Sequence, residues 1–149
     1  MSRSVEWGAA LFLSGTILAA AAHSEERAPA ALQQCGDCHM VFPAAMLPER
    51  SWAAIVAGLA NHFGENADLS AKDKAAILAY LSAHAADSPN ATARERHFLS
   101  ELPSDTTPMR ITQTRWWNQM HADYNFQASK HPKLKSPADC QACHENGFN

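Results

Sequence analysis

The sequence predicts a mostly α-helical protein made of two small domains, residues 23–89 and 90–149. Three observations carry that expectation. No stretch alternates apolar and polar residues in the manner of a strand. Trp52, Ile55, Val56, Leu59 and Phe63 recur at i, i+3, i+4, i+7 and i+11, which lines one face of a helix. A five-residue motif stands once in each half, as Cys35-Gly36-Asp37-Cys38-His39 and as Cys140-Gln141-Ala142-Cys143-His144. Each half is short enough to be marginal as a free-standing core. Whatever the motifs bind must therefore supply part of the interior.

Taken in order, residues 1–22 read as a secretory leader. Arg3 is the positive start, Gly8 to Ala22 is an uncharged run, and Ala20-Ala21-Ala22 offers small residues for cleavage after Ala22. The alternative is an uncleaved anchor, although the run is short for a membrane span. Glu25 to Gln34 is expected as a short helix leading into the first motif. Pro43 disfavours helix at Phe42, so Met40 to Pro43 is expected to be extended or turning. Pro48 suits the first turn of the periodic helix, and Gly64 is placed to end it. Ser70 can cap the next helix, with Asp73 in the capping-box position and Ile77, Leu78 and Leu81 on its buried side. Asp87-Ser88-Pro89-Asn90 is turn punctuation and marks the domain boundary.

The second half is less regular, with short helices. Ala91 to Leu99 suits a helix, and Leu102 to Pro108 reads as a loop. Thr114 can cap a short helix from Arg115 through His121. Ser136-Pro137 reads as N-cap and first position of a last helix carrying the second motif.

Cys-x-x-Cys-His is the attachment signature of a c-type haem. Two thiols two residues apart reach the two vinyl groups of one haem, and the adjacent imidazole supplies the proximal ligand to the iron. The chain is therefore expected to hold two covalently bound haem c groups, on Cys35, Cys38 and His39 and on Cys140, Cys143 and His144. Phe42 and Trp52 are the candidate aromatic neighbours of the cofactor. Phe42, just past His39, is a candidate to span the gap between the haems, against plain core packing.

Three other readings compete. Zinc also takes Cys pairs with His, but the two pairs lie about a hundred residues apart, wider than a zinc ribbon. A redox dithiol leaves both following His residues unexplained, a coincidence of about one in three hundred and fifty from composition alone. Disulfides would suit an exported protein. Export itself fits haem, because bacterial thioether attachment takes place outside the cytoplasm. The expected location is the periplasm.

The net charge of −3 is too small to argue for nucleic acid. Between Thr106 and Ala138, however, Arg110, Arg115, Lys130, Lys133 and Lys135 face Asp123 alone. That stretch either meets haem propionates or a charged partner, or is an ordinary solvated face.

The far side of each iron needs a second ligand, and Met there raises the potential where His keeps it low. For the first haem, His62 at a helix end competes with Met46 and with the poorly placed Met40. For the second, His121 beside Trp116-Trp117 competes with His131 and His97. His84 is most simply a surface residue.

The sequence resembles the small periplasmic dihaem cytochromes c, the DHC family. The likeness lies in Cys35-Gly-Asp-Cys-His-Met40 with Phe42-Pro43, in Leu47-Pro48-x-Arg50-Ser51-Trp52, in Gly58-Leu59, and in His62-Phe63-Gly64-Glu65. It continues through Pro108-x-Arg110-Ile111-Thr112, the His121 region, and Ser136-Pro137-Ala138-x-Cys140-x-Ala142-Cys143-His144. The resemblance implies bis-His ligation of both haems, with the second ligands at His62 and His121. It also implies a first domain like a class I cytochrome c and an unusual second one. Phe42 stands where the family often has Tyr, and the short tail after His144 is expected to leave the second haem more exposed.

The expected function is then electron transfer by a periplasmic shuttle that is not an enzyme. A low-potential carrier of this kind is a reductant in most encounters. The resemblance implies a small oxygen-binding monohaem cytochrome as acceptor and a membrane b-type cytochrome as donor. Charge steering of brief encounters by a soluble monomer would make transfer slow as salt rises. The rival is a haem enzyme or gas sensor with one five-coordinate iron, for which a distal acid–base residue such as His97 or His131 would be needed.

Overall fold

The computed structural model describes residues 28–123, 134 and 136–144. The leader, the start of the first expected helix, His131 and the lysines at 130, 133 and 135 lie outside the described residues. Among the described residues the secondary structure is helical, with a single isolated bridge between His62 and Glu65. No helix among them is long and apolar enough to cross a membrane.

The first helix differs from expectation. Ala28 and Pro29 are not helical, and a 3₁₀ helix spans Ala30–Asp37 with Cys35 inside it. Pro29 disfavours helix at Ala28 and is itself extended, at φ −60° and ψ 143°, so it caps a helix that begins at Ala30. Met40 to Pro43 is irregular as expected, and Pro43 leads into a 3₁₀ turn, Ala44–Met46.

Helix α1, Glu49–Ala57, follows Pro48. Pro48 has no side-chain acceptor to offer, and the Asp87 carboxylate takes the Glu49 N–H instead, at 2.8 Å. The helix stops at Gly58, six residues before Gly64 was expected to end it. Gly58 N–H closes onto the Ala54 and Ile55 carbonyls, and a short 3₁₀ turn, Leu59–Asn61, bends the chain away. Phe63 therefore leaves the buried face: it is 47% exposed, at φ 56°, followed by Gly64 at φ 103°.

Helix α2, Ala71–Ala83, is capped as expected, Ser70 Oγ accepting from the Asp73 N–H at 3.1 Å. It packs on α1, and Leu47, Trp52, Val56, Leu59, Ile77 and Leu81 form the heart of the core. The turn after α2 is not a loose connection. Ala85 and Ala86 are fully buried, and Ala86 N–H bonds the Leu47 carbonyl.

In the second half α3, Ala93–Arg96, begins with a capping box in which Thr92 and Glu95 satisfy each other's backbone N–H groups. A 3₁₀ turn, His97–Leu99, and a loop lead to another, Ile111–Gln113. Helix α4, Arg115–Met120, is capped by Thr114, which is 1% exposed. The expected last helix is only a turn at Ser136 and one 3₁₀ turn, Cys140–Ala142. Asp139, at φ −82° and ψ 66°, stands outside the helical region and stops the turn from propagating.

The halves are fastened together. Arg50 on α1 donates to the carbonyls of Thr106 and Pro103, and Ile111 packs against the first-half core.

Candidate functional site

Two His pairs and two Cys pairs define two sites. In the first, the 3₁₀ helix that carries Cys35 is ended by Cys38 as its C-cap, and His39 comes next. Its Nδ1–H donates to the Met40 carbonyl at 2.6 Å, which leaves the Nε2 lone pair free to bind a metal. The Phe42 ring stacks on it at 4.9 Å and 21°.

His62 enters from the far end of the α1 segment. Its backbone is pinned by exchange with Glu65, N–H to O at 2.6 and 3.2 Å. The left-handed residues 63 and 64 then reverse the chain, and the Asn61 side chain holds the turn by accepting from Gly64 N–H. The His62 ring faces the His39 ring with centroids 6.2 Å apart and planes at 31°. Burial first, and then the electrostatic neighbours His39 and Arg110, hold the His62 imidazole below its ordinary pKa, which favours the neutral ring.

In the second site His121 closes the C-terminal end of α4. It donates from Nδ1 to the Trp117 carbonyl at 2.8 Å and stacks on the Trp117 ring at 4.4 Å and 20°. His144 is set by the last 3₁₀ turn, its N–H bonded to the Cys140 carbonyl at 2.8 Å. The two rings lie 6.3 Å apart with planes at 74°. They line an apolar cavity of about 360 Å³ together with Cys140, Cys143, Trp116, Trp117, Met46 and Ile111.

The spacing is informative. A metal–imidazole bond is about 2 Å and a ring centroid lies about 1 Å behind its nitrogen, so two rings on opposite sides of one metal are centred about 6 Å apart, against about 5 Å around a tetrahedral ion. At 6.2 and 6.3 Å, each pair of rings would leave room for one metal between them, at a separation wider than a tetrahedral ion would set. Cys35 and Cys140 are half-buried, and Cys38 and Cys143 exposed, with no disulfide among the four. Burial, reinforced by Asp37 beside Cys35 and by Asp139 and Cys143 beside Cys140, pushes the two inner thiols up.

The other expected residues separate cleanly. Trp52 is core, its Nε1–H given to the Ala44 carbonyl at 2.7 Å. Phe42 stacks on His39 in the first site and packs against the core, and it is not among the residues that line the second cavity. Met46, weighed as a ligand at the first site, is instead 4% exposed and forms part of the second cavity's wall. Met40 contributes its carbonyl. His84 spends Nδ1 on the Tyr80 carbonyl at the end of α2. His97 sits in a 3₁₀ turn and is not among the residues of the second cavity, and His131 lies outside the described residues. In the sequence Arg110 stands in a basic stretch and in the Pro108-x-Arg110-Ile111-Thr112 motif, with no role of its own assigned. Its guanidinium lies 3.8 Å over the Phe63 ring, and the signal that could have found it is the pairing of His-Phe-Gly with a distant Arg, which no local pattern exposes.

The dihaem cytochrome c family model matches residues 31–148. Three solved structures are similar. A diheme cytochrome c from Rhodobacter sphaeroides shares 41% identity over 77% of this chain and 88% of its own, with a TM-score of 0.69. A structure of DHC purified from the same organism shares 38% over the same portions, with a TM-score of 0.62. A diheme cytochrome type c from Shewanella baltica OS155 shares 32% over 77% of this chain and 78% of its own, with a TM-score of 0.58. No curated protein matches the chain.

Proposed function

This chain belongs to the dihaem cytochrome c family and carries two covalently bound haem c groups, and on that premise we propose that it is a periplasmic electron shuttle with both irons held between two histidines. The single observation that carries the reading is the 6.2 and 6.3 Å spacing of the two imidazole pairs. The bound haems supply a one-electron iron couple. The chain's part is to attach them through Cys35, Cys38, Cys140 and Cys143 and to fill both axial positions with His39 and His62, and with His121 and His144.

Ligands locked on rigid supports need little rearrangement when charge changes. His39 and His121 are each fixed by an Nδ1–H bond to a carbonyl, which also makes them stronger donors and favours the oxidised iron. Four imidazoles and no methionine sulfur on the irons give low potentials, so the protein acts as a reductant. No axial position remains for a substrate, and the protein is not an enzyme. The acceptor we propose is a small oxygen-binding monohaem cytochrome and the donor a membrane b-type cytochrome, as the sequence resemblance implies. The export signal supports the periplasm as the place.

Carbon monoxide added to the reduced protein is the test. An unchanged low-spin absorption spectrum is expected. Prompt stoichiometric binding would overturn the reading in favour of a five-coordinate enzyme or sensor.

A further inference from the structure

Of the described axial candidates, His62 is held in an unusual way. His39 and His121 each give Nδ1–H to a backbone carbonyl, whereas nothing among the described residues hydrogen-bonds the His62 ring. What touches it is another ring. Phe63 lies against His62 at 4.7 Å and 60°, and the Arg110 guanidinium lies over the Phe63 ring, 3.8 Å from its centroid.

Phe63 is costly where it is. A bulky aromatic in the left-handed region is strained, and this one is also 47% exposed. Arg110 is placed firmly enough to hold it. Its N–H and that of Met109 both donate to the Gln113 Oε1, and the next residue, Ile111, packs against the first-half core. The guanidinium thus reaches from the second half of the chain to the loop that presents a ligand in the first.

We infer that Arg110 is the positioning residue of His62: it clamps Phe63 by a cation–π contact, fixes the imidazole plane in place of the missing hydrogen bond, and with its charge raises the potential of the first haem. This deepens the bis-histidine reading and rests on it. A fixed positive charge this close disfavours the more positive, oxidised iron. An imidazole without an acceptor on Nδ1 is also a weaker donor than one with it, which acts in the same direction. The second site has its own wall and does not include Arg110.

The test uses the haem-loaded protein and three variants, Arg110→Gln, Arg110→Lys and Phe63→Leu. Electron paramagnetic resonance reports each iron's ligand planes, and a potentiometric titration reports each potential. The two irons are told apart by their plane angles, 31° and 74°. Arg110→Gln is expected to shift the signal of the first iron and to lower its reduced-to-oxidised ratio at fixed potential by about tenfold, about 59 mV for one electron, leaving the second unchanged. Arg110→Lys is expected to restore the potential but not the signal, since an ammonium lacks the planar face that stacks. Phe63→Leu is expected to shift the first signal alone, and it carries the test if Arg110→Gln fails to fold. The inference is overturned if the first signal and potential are unmoved, or if both irons move equally. Wild-type protein without a low-spin bis-imidazole signal at the first iron would defeat the underlying reading, and this one with it.

Discussion

His121 meets His144 nearly edge to face, the two ring planes 74° apart at a centroid separation of 6.3 Å. The plane of His121 is not free to relax. Its face is stacked on Trp117, and its Nδ1–H is committed to the carbonyl of the same residue. His62 and His39 stand closer to parallel, at 31°. Crossed planes leave two iron d orbitals almost equal in energy, and aligned planes split them. The oxidised protein should therefore show two different low-spin resonance signals, one strongly anisotropic and one rhombic. Two superimposable signals would show that the ligand planes are alike in solution.

Removing His121 should open one coordination position and no more. His121→Ala is expected to bind a single carbon monoxide per reduced chain, at the second iron. On the bis-histidine reading the first iron would keep His39 and His62, because neither lies on α4. Gas titration followed by absorbance decides this, and uptake of two equivalents would mean that the sites are not independent.

Met46 belongs to the first half by sequence and to the second cavity by position. Truncating a buried Met to Ala removes packing and leaves a void, at a cost of about 2–5 kcal/mol. Met46→Ala should lower stability in denaturant titration and disturb the resonance of the second iron while sparing the first. Disturbance of the first iron alone would place the side chain differently.

Arg50 joins α1 to the loop at Pro103 and Thr106 and also approaches Asp87, 3.6 Å away. Its side chain is 32% exposed, so the charged hydrogen bonds are partly screened. Arg50→Gln is expected to cost about 1–3 kcal/mol in unfolding free energy. Arg50→Lys should recover little of it, because an ammonium cannot serve two carbonyls in a fixed fork. Full recovery by lysine would mean that charge alone matters there.

The α3 capping box should respond to acid. Glu95 accepts from the Thr92 N–H and from its hydroxyl, each at 2.7 Å, and the backbone bond first, then the hydroxyl, holds its carboxyl below the ordinary glutamate range. A depressed folded pKa means stability that is present above the unfolded value, about 4.3, and lost as pH falls through the folded one. Glu95→Gln should remove that part of the acid dependence, and Thr92→Ala should cost about 1 kcal/mol near neutral pH. Unfolding curves of the three proteins from about pH 5 downward check it; parallel curves would rule the carboxylate out.

Much of the molecule was legible because its signals are local. A capping hydroxyl reaches a backbone N–H three residues away, so Ser70 and Thr114 announce their helices. Two thiols and an imidazole grip one haem from five consecutive residues, so both attachment sites and the cofactor are written in the chain itself. Other features were lost for lack of such a local rule. The periodic face from Trp52 to Phe63 continues through Gly58, yet the helix does not, because Gly58 closes it and Phe63 is drawn out toward Arg110.

The sequence by itself determined the mostly helical class and the two haem attachments, because each of these rests on neighbours in the chain. Only the tertiary structure decided that His62 and His121 stand 6.2 and 6.3 Å from the His39 and His144 rings, at what angles, and that Met46 and Arg110 each lie against residues of the opposite half. Those relations join residues tens of positions apart, and they exist only once α1, α2 and α4 have buried their apolar faces and brought the loops between them into contact.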